Sequence, residues 1–214
     1  MFILLDQDGV LSDHGAELYT RWADQYPEEF DRYHIPLDQA PYDLTSHFGG
    51  EVTEHLKAIE QTPGFWASLP PIDGALEGAN ELVALGHVVC ICTRPSKRVT
   101  EICALEKFQW VQRRLGQAWI ERMMVVRDKT FAHGDILIDD KPKIVGAREP
   151  SWQHVIFDQP YNRHVADRPR FSWSINWRDA LSEIEDARRR TRLTNEGAGW
   201  LARGYGVDDW DFWG

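Results

Sequence analysis

Cysteine is scarce in this 214-residue chain: Cys90, Cys92 and Cys103 are all it has. Three is an odd number and fits no disulfide framework. Cys90 and Cys92 alternate along a strand-like run, HVVCICT, so they share one face. No second pair or histidine set accompanies them to complete a zinc site, and they read as reduced, packed thiols. Long apolar runs are also missing. None approaches the roughly 20 residues that span a bilayer, and the N-terminus lacks the basic start, long apolar stretch and small-residue cleavage site of a secretory leader. A cytoplasmic location with no membrane partner is expected. Positive charge is in deficit, with 24 Lys and Arg against 34 Asp and Glu and a formal net charge of −10. Gripping long nucleic acid needs a basic surface, so none is expected as a partner. A small phosphorylated ligand stays open, because a local site can be positive inside a negative envelope. There is no Walker A loop and no G-x-G-x-x-G after a strand, nor a serine or cysteine nucleophile elbow. The histidines other than His14 show no ligand spacing.

What is present begins with MFILLDQDGV, an apolar run leading straight into two acids one residue apart. Phe2 to Leu5 reads as a strand buried on both faces, the kind found in parallel sheets. Similar runs follow at 87–92, 123–126 and 135–138, with a fifth at 154–157. Helical patterns lie between them, at 75–85 ahead of Gly86 and at about 97–115 ahead of Gly116. Strands alternating with helices of this length predict an α/β fold with a Rossmann-like parallel sheet. Residues 14–72 break the rhythm. Helical patches at 16–30 and 52–60 are separated by Pro and Gly, with no central strand, which predicts a small helical cap inserted after the first strand. The expected domains are a core of 1–13 and 73–190, a cap of 14–72, and a Trp- and Gly-rich acidic tail of 191–214. The run RDALSEIEDARRRTRL reads as a helix with acids early and arginines late. The tail reads as too glycine-rich for a helix.

In an open parallel sheet, ligands bind beyond the carboxyl ends of the strands. After the first strand come Asp6, Asp8 and Gly9; after the second, Thr93, Arg94 and Pro95. The third is followed by Arg127, Asp128 and Lys129, and the fourth ends in Asp139 and Asp140. Singly, each has an ordinary explanation: a loop carboxylate pair, a helix cap, a solvated lysine, a turn. Together they converge on one edge. Carboxylates held close repel unless a cation neutralises them, and oxygen-only ligands suit Mg²⁺. An ionised aspartate can then attack a phosphate, while a hydroxyl and a lysine hold the equatorial phosphoryl oxygens. One acid serves as nucleophile and the other handles the proton.

The segments DQDGVL, ICTRP, RDKT and DILIDDKP resemble the four motifs of haloacid-dehalogenase-type phosphatases. PGFWASLPPIDGA, EKFQWV, PSWQHVIFDQPYN and the SWSINWRDAL region are similar, more narrowly, to the 5′(3′)-deoxyribonucleotidase family, over most of positions 1 to about 182. The resemblance implies Asp6 as the residue that becomes phosphorylated and Asp8 as the acid, then base. It implies Thr93 and Lys129 as phosphoryl-binding groups, with Arg94 beside them. Mg²⁺ would be held by Asp6, the Asp8 carbonyl and Asp140, with Asp139 supporting from behind. It implies a deoxynucleoside monophosphate as substrate, and a homodimer. Two positions depart from the family pattern. Arg94 stands where a small residue is common, and His14 stands where an aromatic of the base pocket is expected. Phe65 and Trp66 are candidates to stack on a base, or cap-core aromatics. An alternative enzyme of the same superfamily would act on a sugar phosphate or another small phosphomonoester. A phosphoaspartate signalling module is opposed by the cap and by Asp8, since a lasting signal should not carry its own hydrolytic acid.

Overall fold

The computed structural model describes residues 1–174 and 176–202. Six parallel strands form one sheet: β1 (Phe2–Leu5), β2 (Val88–Thr93), β3 (Met123–Val125), β4 (Ile136–Asp139), β5 (Gln153–Phe157) and β6 (Arg170–Phe171). Their order, β3-β2-β1-β4-β5-β6, reverses at β1. That reversal opens the crevice where such sheets take ligands. β1 lies between β2 and β4, with Leu5 paired to both Ile91 and Ile138. This explains why FILL is apolar throughout: Ile3, Leu4 and Leu5 are fully buried. Cys92 joins Leu4 and Leu137 in the core, with Cys90 packed beside them, and all three thiols are free. Burial pushes the Cys92 thiol up to about 12, so it is an inert packing group.

Between β1 and β2 come α1 (His14–Gln25), α2 (Pro27–Tyr33), α3 (Gly50–Gln61), α4 (Phe65–Ser68) and α5 (Ala75–Ala84), with no strand in 14–70. The chain leaves the sheet edge at Asp13 and returns beside it. Asp13 N–H donates to Pro70 O at 2.8 Å and Ile72 N–H to Leu11 O at 2.9 Å. Helices α1–α3 have an aromatic centre of their own, Trp22 packed against Tyr19, Phe30 and Phe48. The single helical patch read at 16–30 is two helices. Tyr26 breaks from helical geometry because Pro27 follows it, and Pro27 starts α2 at its first turn. Then come α6 (Thr100–Leu115) and α7 (Gln117–Ile120).

Residues Met1–Ile175 form one compact unit, and a second begins at Asn176, its described part being α8 (Trp177–Ala202). The reading of the tail as too glycine-rich for a helix is overturned as far as Ala202: α8 runs through Gly197 and Gly199. An established helix propagates by one hydrogen bond per residue, so two glycines at about 1 kcal/mol each do not stop it. The remainder of the expected tail, 203–214, lies outside the described residues. No described helix is long and apolar enough to cross a membrane.

Candidate active site

The register of the sheet brings the motif residues to one edge. Asp6 follows β1 directly and its N–H donates to Ile138 O at 2.9 Å, which sets it level with Asp139 at the end of β4. Asp128 caps a 3₁₀ turn over Lys129–Phe131 by accepting from Thr130 N–H at 2.9 Å. That turn, fixed further by Trp152 Nε1 donating to Lys129 O at 3.1 Å, aims Lys129 back at the acids. Its ammonium lies 2.6 Å from Asp6 Oδ2 and 2.6 Å from Asp139 Oδ2. Burial would drive Lys129 down, but the Asp139 and Asp6 carboxylates outweigh it and hold the lysine above its ordinary value. It stays a cation.

Asp6, Asp139 and Asp140 each place a carboxylate oxygen within 4.8 Å of the others. Lys129 pairs directly with two of the three acids, and Lys107 acts on Asp6 from farther away. Burial, opposed for Asp6 by Lys129, raises the carboxyl pKa of Asp6, and burial with the Asp139 and Asp6 charges lifts Asp140 well above the usual range. The cluster is short of positive charge. Asp140 is further held by the Tyr161 hydroxyl on Oδ2 and by Asn162 Nδ2, which donates to its carbonyl at 2.7 Å. Gly9 completes the wall. Its φ is +75°, and a Cβ there would fall 2.6 Å from the Asp140 carboxyl carbon, so glycine is required by both conformation and space. Both oxygens of Asp139 are engaged: Oδ1 accepts from Lys141 N–H at 2.8 Å and Oδ2 from Lys129.

Asp8 turns to the other side of the crevice. Its Oδ2 meets Lys107 Nζ at 2.5 Å, and the same ammonium donates to Thr93 Oγ1 at 2.9 Å. Lys107 comes from α6 and is fully buried. Of the other sequence candidates, Arg94 is half-buried, and its charge helps hold down Asp128, chiefly lowered by hydrogen bonds from Thr130 and Ala147. His14 sits above Phe65 and Trp66, ring centroids 5.4 and 5.2 Å away. Its Nε2 meets Glu60 Oε1 at 2.9 Å, and Arg98 holds the other Glu60 oxygen at 2.9 Å. Phe65 is fully buried and Trp66 nearly so, so at this mouth His14 is the partly open ring. A separate groove of about 860 Å³, lined by Tyr26, Glu29, Tyr33, Phe48 and His55, includes none of the strand-end acids.

Lys107, Glu106 and Tyr161 were not singled out from sequence. For the first two a signal existed. Cys103, Glu106, Lys107, Trp110 and Val111 are the buried residues of α6, the i, i+3, i+4, i+7, i+8 stripe of a helix facing the core. Two charges on that stripe must be paired. Tyr161 belongs to PSWQHVIFDQPYN, and nothing local distinguishes it from a packing tyrosine.

Comparison with known proteins shows the family and the fold. The profile of the family described as 5′ nucleotidase, deoxy (pyrimidine), cytosolic type C protein matches residues 1–190. A Bordetella pertussis relative, provisionally named a 5′(3′)-deoxyribonucleotidase, is 44% identical over 189 residues, 85% of this chain and 96% of its own. The human 5′(3′)-deoxyribonucleotidase, cytosolic type, is 37% identical over 198 residues, 88% of this chain and 96% of its own. In fold, a HAD family hydrolase from Deinococcus radiodurans, solved with bound phosphate and sodium, superposes with a TM-score of 0.51 at 17% identity. The match covers 85% of this chain and 95% of that one.

Proposed function

Because this chain belongs to the 5′(3′)-deoxyribonucleotidase family of HAD-type phosphomonoester hydrolases, we propose that it dephosphorylates deoxyribonucleoside monophosphates through a phosphoryl-Asp6 intermediate. The observation that carries this reading is the position of Asp6. It stands at the end of the central strand, its Oδ2 on Lys129 at 2.6 Å and its Oδ1 accepting from Gln7 N–H at 2.7 Å. Two hydrogen bonds fix the carboxylate plane, so an oxygen is presented to phosphorus without reorientation.

In the first step an Asp6 oxygen forms a bond to phosphorus and the ester P–O bond breaks. Asp8 gives its proton to the departing nucleoside oxygen. In the second, the Asp8 carboxylate takes a proton from water, whose oxygen attacks phosphorus. The bond to Asp6 breaks and inorganic phosphate leaves. This divides one displacement into two, with Asp8 as acid and then base. Lys129 and the Thr93 hydroxyl bind the phosphoryl oxygens as their charge develops, and Arg94 adds a cation at the rim.

The acids also fit a hard divalent cation: three carboxylate oxygens lie close together, Lys129 pairs directly with only two of these acids, and two of the acids are held at raised pKa. Asp6, Asp140 and the Asp8 carbonyl would hold Mg²⁺. Asp139, which pairs with Lys129 through Oδ2, would anchor that lysine and stand behind the metal, as the family resemblance implies. When bound, Mg²⁺ neutralises the acids and polarises the phosphoryl group. Acids with raised folded pKa bind more protons when native, so the metal-free protein loses stability as pH rises through those values. Protons and metal compete for the same oxygens. Adding Mg²⁺ to about 100 times its Kd is expected to stabilise the protein by about 2.7 kcal/mol, read as a rise in Tm larger at pH 7.5 than at pH 5.5. No shift at either pH would remove the metal from the account.

The helices of 14–72 would act as a cap over this edge, with the half-open His14 ring toward the base and the buried Phe65 and Trp66 packed behind it rather than stacking on the base themselves. The family resemblance also supports a cytoplasmic homodimer. The test of function is phosphate release, with Mg²⁺, from 3′ and 5′ deoxy- and ribonucleoside monophosphates and from sugar phosphates. Preference for deoxynucleotides is expected. Preference for sugar phosphates would keep the chemistry and discard the nucleotidase reading.

A further inference from the structure

The two adjacent charges on the buried face of α6 reach in different directions. The Glu106 carboxylate accepts from the N–H groups of Gly64 at 2.6 Å, Trp66 at 3.0 Å and Ala67 at 3.3 Å. It thereby fixes the start of α4, the segment that carries Phe65 and Trp66. One residue on, the Lys107 ammonium is fully buried and spans Asp8 Oδ2 and Thr93 Oγ1. Its Nζ also lies 5.5 Å from the centre of the Trp66 ring, within reach of a cation–π contact. α6 is tied to the same segment by Trp110 Nε1 donating to Leu69 O and Arg113 donating to Ala67 O, both at 2.7 Å.

A lysine buried this completely needs a reason, since desolvating an ammonium costs several kcal/mol before its partners offset it. Phosphate binding is assigned above to Lys129, which pairs with Asp6 and Asp139, whereas Lys107 pairs with Asp8. Building on the function proposed above, we infer that Glu106 and Lys107 form a positioning pair that couples the aromatic segment Phe65–Trp66 to proton transfer by Asp8. Lys107 fixes Asp8 Oδ2, which leaves Oδ1 to face the ester oxygen, with the Ser12 hydroxyl 3.2 Å from it. As the substrate P–O bond breaks, its electron pair goes to the nucleoside oxygen and the Asp8 O–H proton follows it. The carboxylate charge that appears on Asp8 falls beside the Lys107 ammonium. Glu106 holds Trp66 over that ammonium, so a base packed against the His14–Trp66 side and an aligned Asp8 are two ends of one connected set of contacts.

Leaving-group dependence separates this role from the alternatives. A nucleoside alkoxide needs its proton; a nitrophenolate departs without one. Lys107→Met, which removes the charge and retains an unbranched chain, is expected to lower kcat/KM for a deoxynucleoside monophosphate by on the order of 100-fold. The same variant should lose less than about 5-fold in kcat/KM on p-nitrophenyl phosphate, because that ratio ends at phosphoryl transfer and leaves out the Asp8-assisted hydrolysis both substrates share. Glu106→Gln, which weakens the hold on α4, is expected to lose about 10-fold on the nucleotide and little on p-nitrophenyl phosphate. Equal losses on both substrates would mean that Lys107 binds phosphate or supports the fold, and would overturn the inference. So would no loss on either. If Lys107→Met does not fold, Lys107→Arg carries the same comparison, because it keeps the cation and displaces it; the unequal loss is again expected and equal losses again refute. Wild-type protein that hydrolyses p-nitrophenyl phosphate but no nucleotide would count against the proposed function alone.

Discussion

Replacing Asp6 with Asn is expected to reduce phosphate release by on the order of 10⁵-fold while leaving the fold in place. The amide is a poor nucleophile and cannot form the phosphoryl intermediate. It is nearly isosteric, and its oxygen still accepts the 2.7 Å bond from Gln7 N–H. The substitution also removes one of three carboxylates crowded within 4.8 Å and leaves Lys129 paired with Asp139 at 2.6 Å. Repulsion is relieved and the Lys129–Asp139 pair stays intact, but the Asn amide nitrogen then faces the Lys129 ammonium where Oδ2 stood, so the two effects offset and the melting temperature should stay near that of wild type. Steady-state phosphate release and a thermal melt on the same preparation check both halves. Appreciable turnover would sink the covalent mechanism. Loss of activity with loss of fold would show that Asp6 is structural.

Lys129→Met should do damage of both kinds. The ammonium is 7% exposed and answers two acids at 2.6 Å. Removing one partner of a buried pair costs about 3–5 kcal/mol, which in a chain of this size is a fall of about 10 °C in Tm. Activity should drop by on the order of 10³-fold with loss of the phosphoryl clamp. The stability defect has a pH signature. Asp6 and Asp140 already have raised pKa values, and without Lys129 they rise further, so acidification neutralises them. The gap in Tm between variant and wild type is expected to narrow as pH falls from 7.5 to 5. A gap that is constant with pH would mean the loss is one of packing rather than charge.

The parts of the fold visible in the sequence are those where periodicity and chemistry coincide. FILL, VVCICT and ILID are mainly apolar because β1, β2 and β4 lie inside the sheet and most of their residues are buried, all but Val88 and Cys90 in β2, and an acid or hydroxyl at each end marks the working edge. β6 escaped detection because it is two residues long, held by a parallel pairing to β5 that no local pattern announces. The break at Tyr26 was written in Pro27 but obscured by the apolar spacing that continues across it. In the site, Asp6, Thr93, Lys129, Asp139 and Asp140 are legible because each sits at a strand end. Lys107 is not. It comes from the middle of a helix, and sequence alone treats a helical lysine as solvated; only its place on the buried stripe of α6 betrays it. His14 was legible as a departure from an aromatic, whereas its pairing with Glu60 and Arg98 depends on how α1, α3 and the loop after β2 meet.

The central claim is that phosphate passes through Asp6. Its most direct test is a rapid acid quench of the wild-type enzyme during turnover of a ³²P-labelled deoxynucleoside monophosphate, followed by peptide mapping. The account predicts acid-stable, base-labile label on the peptide containing Asp6, and none in Asp6→Asn. Release of phosphate at full rate with no label on the protein, or label on another residue, would contradict it.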